Sequence, residues 1–233
     1  AVRYVLLDLI SVLVTLATLT LGVSVFTSGP KLGQETLMRA LIVIDVQNDF
    51  CPGGALAVAG GDEIVASINE MMAEFDAVIL TQDWHPAGHS SFASGHDTAA
   101  FSSIEMPYGP QVLWPDHCVQ GSNGAAFHGG LASHHADLII RKGYRSTIDS
   151  YSAFFENDQT TATGLEGYLK TRGLLDLTFV GLATDYCVAY SALDAAGLGF
   201  QVTVNTELCR PIDMDGSLDL ALNEMTAAKV SLV

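Results

Sequence analysis

The sequence predicts a three-layer α/β/α fold, a doubly wound parallel sheet between helices, and three observations predict it. Six short, β-branched apolar runs recur from residue 40 onward, stretches compatible with helix separate most of them, and the runs are apolar throughout instead of alternating. A strand apolar on both sides is buried on both sides, the condition of a parallel sheet covered by helices.

The elements follow in order. The first run is ALIVIDV (40–46), followed by a helix over 61–74 and a second run, DAVILTQ (76–82). The third is ADLIIRK (136–142), with a helix at 160–172; the fourth is DLTFVGL (176–182), with a helix at 185–196. FQVTVN (200–205), a helix at 215–227 and KVSLV (229–233) complete the pattern. Between them, 84–135 shows no clear strand and carries the histidines, both tryptophans and most of the prolines. A loop region of that length in a compact domain is usually functional.

In an open parallel sheet the ligand crevice lies beyond the carboxyl ends of the strands. Asp45 ends the first run, Asp83 follows the second, Lys142 ends the third and Cys187 opens the helix after the fourth. All four are expected at one edge.

Composition excludes several classes. With 233 residues, 49% hydrophobic, 15% charged and 22 glycines, the chain is a folding sequence and not a disordered one. A net charge of −16 with ten Lys and Arg argues against a nucleic-acid partner. Four widely separated cysteines (Cys51, Cys118, Cys187, Cys209) without CxxC pairs favour a reducing, cytoplasmic setting with separate roles. Oligomeric state is left open.

The division expected is 1–37 as an apolar extension with a polar linker, and 38–233 as a single α/β domain. Residues 4–26 are long enough to cross a bilayer, with Asp8 as their one charge. A membrane anchor, an export signal and residues upstream of a start at Met38 compete; a dispensable extension is placed ahead of an anchor, and membrane association is expected only if the anchor is real. Arg3, Lys31, Asp8 and Glu35 cancel, so the net charge belongs to the domain.

Cys187 falls in the first turn of its helix, with Thr184 or Asp185 as N-cap, where the helix dipole and a neighbouring ammonium would lower a thiol pKa. A nucleophile needs a proton acceptor and an oxyanion site. Asp45, buried at the end of a central strand, would have its pKa raised toward a useful range. Lys142 could hold both anions, and backbone N–H groups in GLATDYC could receive an oxyanion. From position alone, Asp45 and Lys142 are equally well a structural ion pair, and a cysteine alone is more often a small core residue. DWHPAGH (83–89) and WPDHC (114–118) form a second cluster, in which carboxylate and imidazole suit Zn²⁺, Fe²⁺ or Mn²⁺. The Asp-Xaa-His spacing is weak by itself, since loop histidines are more often solvated than ligating.

Taken together, ALIVIDVQNDFCPGGALAV, TQDWHPAGHSSFAS, WPDHCVQGSNGA, DSYSAFF and GLATDYCVAYSALDA resemble the nicotinamidases (pyrazinamidases) of the isochorismatase-like cysteine hydrolases. The similarity runs in order from about Met38 to the C-terminus. The resemblance implies a six-stranded parallel sheet and an Asp45–Lys142–Cys187 triad. It implies one divalent metal ion, zinc first with iron or manganese as alternatives, on Asp83, His85 and His117. It also implies an oxyanion hole at the N–H groups of Ala183 and Cys187, with a cis peptide at Leu182–Ala183. Phe50 and Trp114 would be aromatic walls for a pyridine ring, with Gln47, Tyr151 and Tyr186 beside it. His89 is left second-rank; His96, His128, His134 and His135 are read as surface residues, and Cys51, Cys118 and Cys209 as structural thiols. The activity implied is hydrolysis of nicotinamide to nicotinate and ammonia, and of pyrazinamide-type amides, in NAD salvage. The alternatives are another cysteine amidase acting on a carbamoyl or ureido compound, an isochorismatase-type hydrolase without the thiol, and a membrane-tethered non-catalytic module.

Overall fold

The computed structural model describes residues 37–233, so the apolar stretch 4–26 lies outside the described residues. Among the described residues no helix is long and apolar enough to cross a membrane.

The apolar runs become strands β1 (Met38–Ile44), β2 (Ala77–Asp83), β5 (Leu138–Lys142), β6 (Leu174–Leu182), β7 (Gln201–Arg210) and β8 (Ser231–Leu232). They form one sheet in the order β5-β2-β1-β6-β7-β8. Every pairing is parallel. β2 is buried along its whole length, whereas the edge strand β5 alternates between half-buried and exposed positions before ending on a buried Lys142. Chain order reverses between β1 and β6, so the crevice expected of such a sheet opens beyond Ile44 and Leu182. There β6 approaches β1 so closely that a Cβ on Gly181 (φ 115°) would lie 2.2 Å from the Ile44 carbonyl oxygen.

The helices are α1 (Val65–Met71), α2 (Leu165–Arg172), α3 (Ala189–Gly197) and α4 (Ser217–Ala227). α1 is shorter than expected and closes in a 3₁₀ turn at Met72–Glu74. α2 starts five residues later than 160, because Asp158 Oδ1 accepts the N–H groups of Thr160 (3.0 Å) and Thr161 (2.8 Å) in a turn and Gly164 is left-handed. Such side-chain bonds to nearby backbone compete with helix.

The segment read as strandless contains a hairpin, β3 (Ser103–Met106) and β4 (Gly109–Val112). Four-residue strands, separated by a turn at Pro107 and with Pro110 in the second, carry too little alternation to be read from sequence. β7 runs to Arg210, beyond 205, because its ladder with β6 resumes after an irregularity, at Gly181↔Cys209.

Candidate active site

Four strand ends build the site. Asp83 and Lys142 are register partners on β2 and β5. Lys142 is completely buried, so its ammonium has to be paired. It contacts Asp45 Oδ2 at 2.8 Å, forms a close ion pair with Asp83 Oδ1 and donates to the Ser150 carbonyl at 3.0 Å. Its fourth neighbour is the Cys187 sulfur, 3.4 Å away. Ligand atoms of Asp45, Asp83 and Cys187 lie within 4.8 Å of one another. Asp45 follows the last residue of β1 with φ 48°, and Thr81 fixes it twice: the Thr81 hydroxyl donates to Asp45 Oδ1 (2.6 Å) and accepts the Asp45 N–H (3.1 Å).

Burial pushes the Asp45 carboxyl above its ordinary pKa, although Lys142 opposes the shift. Burial also opposes the charge of Lys142, but Asp45 and Asp83 outweigh it and hold the ammonium well above its usual range. The same burial raises Cys187 well above the ordinary thiol value, with Lys142 countering and the two carboxylates reinforcing it. This corrects the expectation of a lowered thiol pKa: desolvation and two nearby anions exceed the help from the ammonium and the helix terminus. Burial around the sulfur thus disfavours its thiolate form.

Cys187 lies in a π-helical turn, Thr184–Val188, that leads into α3. The N-cap is Ala183, without a side-chain bond, in place of the expected Thr184 or Asp185. The cis peptide at Leu182–Ala183 is present. The Ala183 carbonyl accepts the N–H groups of Tyr186 and Val188, both at 3.1 Å, with Cys187 between them.

On the other side of Lys142, Asp83 Oδ2 faces the Nε2 atoms of His85 (3.5 Å) and His117 (3.7 Å). Each ring directs Nδ1 at a backbone carbonyl, His85 at Gly143 and His117 at Pro115, both 2.8 Å away. The Nδ1 atoms thus carry the protons and both Nε2 lone pairs converge, an arrangement typical of metal-ligating histidine. His85 Nε2 is buried without a hydrogen-bond partner. Burial lowers the proton affinity of His85, but Asp83 outweighs it and raises the pKa, so the spot attracts positive charge. The three residues fit a divalent cation, with remaining positions open to the cavity that Asp83 and His117 line. Gly143 makes room for it: a Cβ there would fall 2.4 Å from the His85 ring.

His89 is not part of this set. Its Nε2 faces the carbonyls of Arg145 (2.8 Å) and Ile148 (3.1 Å). Its Nδ1 is 2.8 Å from the Ser91 hydroxyl, so both ring nitrogens are committed. His134 and His135 are exposed, while His96 and His128 are half-buried. All four cysteines are free and buried.

A narrow cavity adjoins the sulfur and is lined by Phe50, Trp114, Tyr151, Tyr186, Asp83 and His117 among others. Trp114 stands edge-on to Tyr186 with ring centroids 5.0 Å apart, and its indole N–H donates to the Tyr151 hydroxyl at 3.2 Å. Gln47, expected beside the substrate, holds the end of β2: its amide donates to the Asp83 carbonyl (2.9 Å) and accepts the Asp83 N–H (2.8 Å). Sequence reasoning missed Thr81, Ser150, Gly143, Asp149 and Ile212. Thr81 and Gly143 adjoin residues already singled out and could have been found from strand register. Asp149 lines the cavity while its Oδ2 accepts from Gln111 at 2.9 Å, a partner supplied by the unread hairpin.

The family profile for the isochorismatase domain matches residues 39–233. A nicotinamidase of Acinetobacter baylyi is 54% identical over 195 residues, covering 83% of this chain and 91% of that protein. The solved structure of the Acinetobacter baumanii nicotinamidase/pyrazinamidase is 51% identical with a TM-score of 0.84, covering 86% of this chain and 97% of that one. The pyrazinamidase of Pyrococcus horikoshii, solved in complex with zinc, is 35% identical with a TM-score of 0.67 and coverage of 84% and 98%.

Proposed function

The chain belongs to the isochorismatase family, and from that premise we propose that it is a metal-dependent nicotinamidase, a cysteine amidohydrolase that converts nicotinamide to nicotinate and ammonia in NAD salvage. The observation that carries the reading is the position of Lys142, whose ammonium touches Asp45, Cys187 and Asp83 at once and so joins a nucleophile and its base to the histidine pair.

Asp45 takes the thiol proton as the Cys187 sulfur bonds to the carboxamide carbon. The N–H groups of Ala183 and Cys187 receive the oxyanion, Asp45 returns the proton to the departing nitrogen, and the C–N bond breaks to leave a thioester and ammonia. Asp45 then takes a proton from water as the water oxygen bonds to the acyl carbon, the C–S bond breaks to release the acid, and Asp45 passes the proton to the departing sulfur. Lys142 remains charged throughout and keeps Asp45 oriented.

Asp83, His85 and His117 would hold the cation, zinc on the chemistry of one carboxylate and two imidazoles; when bound it supplies a Lewis-acid position for the pyridine nitrogen, which orients the ring. Phe50, Trp114, Tyr151 and Tyr186 enclose the ring. The test is stoichiometric release of ammonia and nicotinate from nicotinamide by the purified, zinc-loaded protein. Hydrolysis of a ureido or carbamoyl compound in preference to nicotinamide would overturn the assignment.

A further inference from the structure

Asp185 is a buried carboxylate that the hydrolytic steps leave unused. It stands two residues before Cys187 in the π-helical turn and is 5% exposed. Both of its oxygens bind one segment, the connection from β7 to the first residue of α4. Oδ1 accepts the N–H of Ile212 at 2.9 Å, and Oδ2 accepts the N–H of Asp213 at 2.8 Å and the hydroxyl of Ser217 at 2.5 Å.

The connection turns sharply: Asp213 (φ 54°) and Asp215 (φ 51°) are both left-handed, with Gly216 (φ 83°) beside them. Within the segment, Ile212 lines the same cavity as Cys187 and Tyr186.

We propose that Asp185 is a positioning residue for substrate: through the Ile212 and Asp213 amides it fixes Ile212 as an apolar wall of the ring pocket, locking that wall to the turn that bears the nucleophile. A carboxylate suits the task because it accepts on both sides. An asparagine there would turn an N–H donor toward Ile212 or toward Asp213 and Ser217, losing one side of the clamp and leaving opposed donors. The role in catalysis rests on the nicotinamidase reading; the clamp itself rests on the hydrogen bonds.

The test combines amide hydrogen exchange with kinetics on Asp185→Asn, Ile212→Ala and the double variant. In Asp185→Asn the amides of Ile212 and Asp213 should exchange at least about tenfold faster, while those of β1 keep wild-type protection. KM for nicotinamide should rise about tenfold with kcat within about threefold, the signature of lost binding without lost chemistry. Adding Ile212→Ala to Asp185→Asn should raise KM little further, because both changes remove the same wall. If Asp185→Asn does not fold, Ser217→Ala is read the same way with a smaller effect. Unchanged exchange at residues 212 and 213, equal loss of protection in β1, or fully additive KM effects would overturn the proposal. Failure of the wild-type protein to hydrolyse nicotinamide would refute the functional reading alone, and the exchange measurement would still decide the clamp.

Discussion

Replacing Lys142 by methionine tests the charge balance on which the site depends. The substitution keeps an unbranched side chain of similar length but removes the cation from between Asp45 and Asp83, both buried. Removing one member of a buried ion pair costs about 3–5 kcal/mol, because the remaining charge is left uncompensated. In a domain of this size each kcal/mol lowers Tm by about 2–4 °C, so chelator-treated Lys142→Met should melt roughly 6–20 °C below the chelator-treated wild type. The pH dependence has a defined sign. Asp45 already lies above its ordinary pKa through burial, and without Lys142, which opposes that shift, it should rise further. Its charge is costly above the folded-state pKa and absent below it, so the stability deficit should be widest near neutral pH and shrink as the pH falls through that pKa. Adding Asp45→Asn should restore part of the loss at neutral pH. Urea unfolding at several pH values with both variants makes the measurement. Lys142→Met within about 1 kcal/mol of wild type at neutral pH, or a deficit that grows on acidification, would refute the reasoning.

Cys187→Ala should abolish turnover with the fold and metal content intact, and Asp45→Asn should lower kcat by about 10²–10⁴-fold, both read by ammonia release; a near-normal rate in either variant removes that residue from the mechanism. Alkylation of Cys187 in chelator-treated protein should accelerate with pH up to and beyond the ordinary thiol range, as burial of the sulfur directs, and a plateau at neutral pH would contradict that direction. Gly143→Ala should weaken zinc binding about 10–100-fold in a competition titration, because the new Cβ displaces the His85 ring; unchanged affinity would show that Gly143 has no part in placing His85.

The sheet was legible because its central strands are apolar from end to end, as in ALIVIDV, and that pattern has one physical explanation in a chain of this length. The residues at the strand ends were legible for the same reason, since β1, β2 and β5 bring Asp45, Asp83 and Lys142 to one edge. The direction of the Cys187 pKa was not, because reasoning from a helix terminus omits desolvation, and desolvation is known only once β1, β5 and the pocket walls have closed around the sulfur. The pairing of Gln47 with the backbone of Asp83 was not legible, because a motif gives proximity in sequence and not the partner of an amide. Ile212 and the role of Asp185 left no local signal, since their bond crosses from one strand end to another.

The central claim is that a ring held at Asp83, His85 and His117 is presented to the Cys187 thiol across one small cavity. Its most direct measurement is kcat/KM for nicotinamide against benzamide, which keeps the carboxamide and lacks the ring nitrogen, in the zinc-loaded protein. The account predicts that benzamide is a poor substrate with or without metal, and that chelation impairs nicotinamide turnover reversibly while Cys187 still reacts with a small alkylating reagent. Equal kcat/KM for the two amides would contradict it.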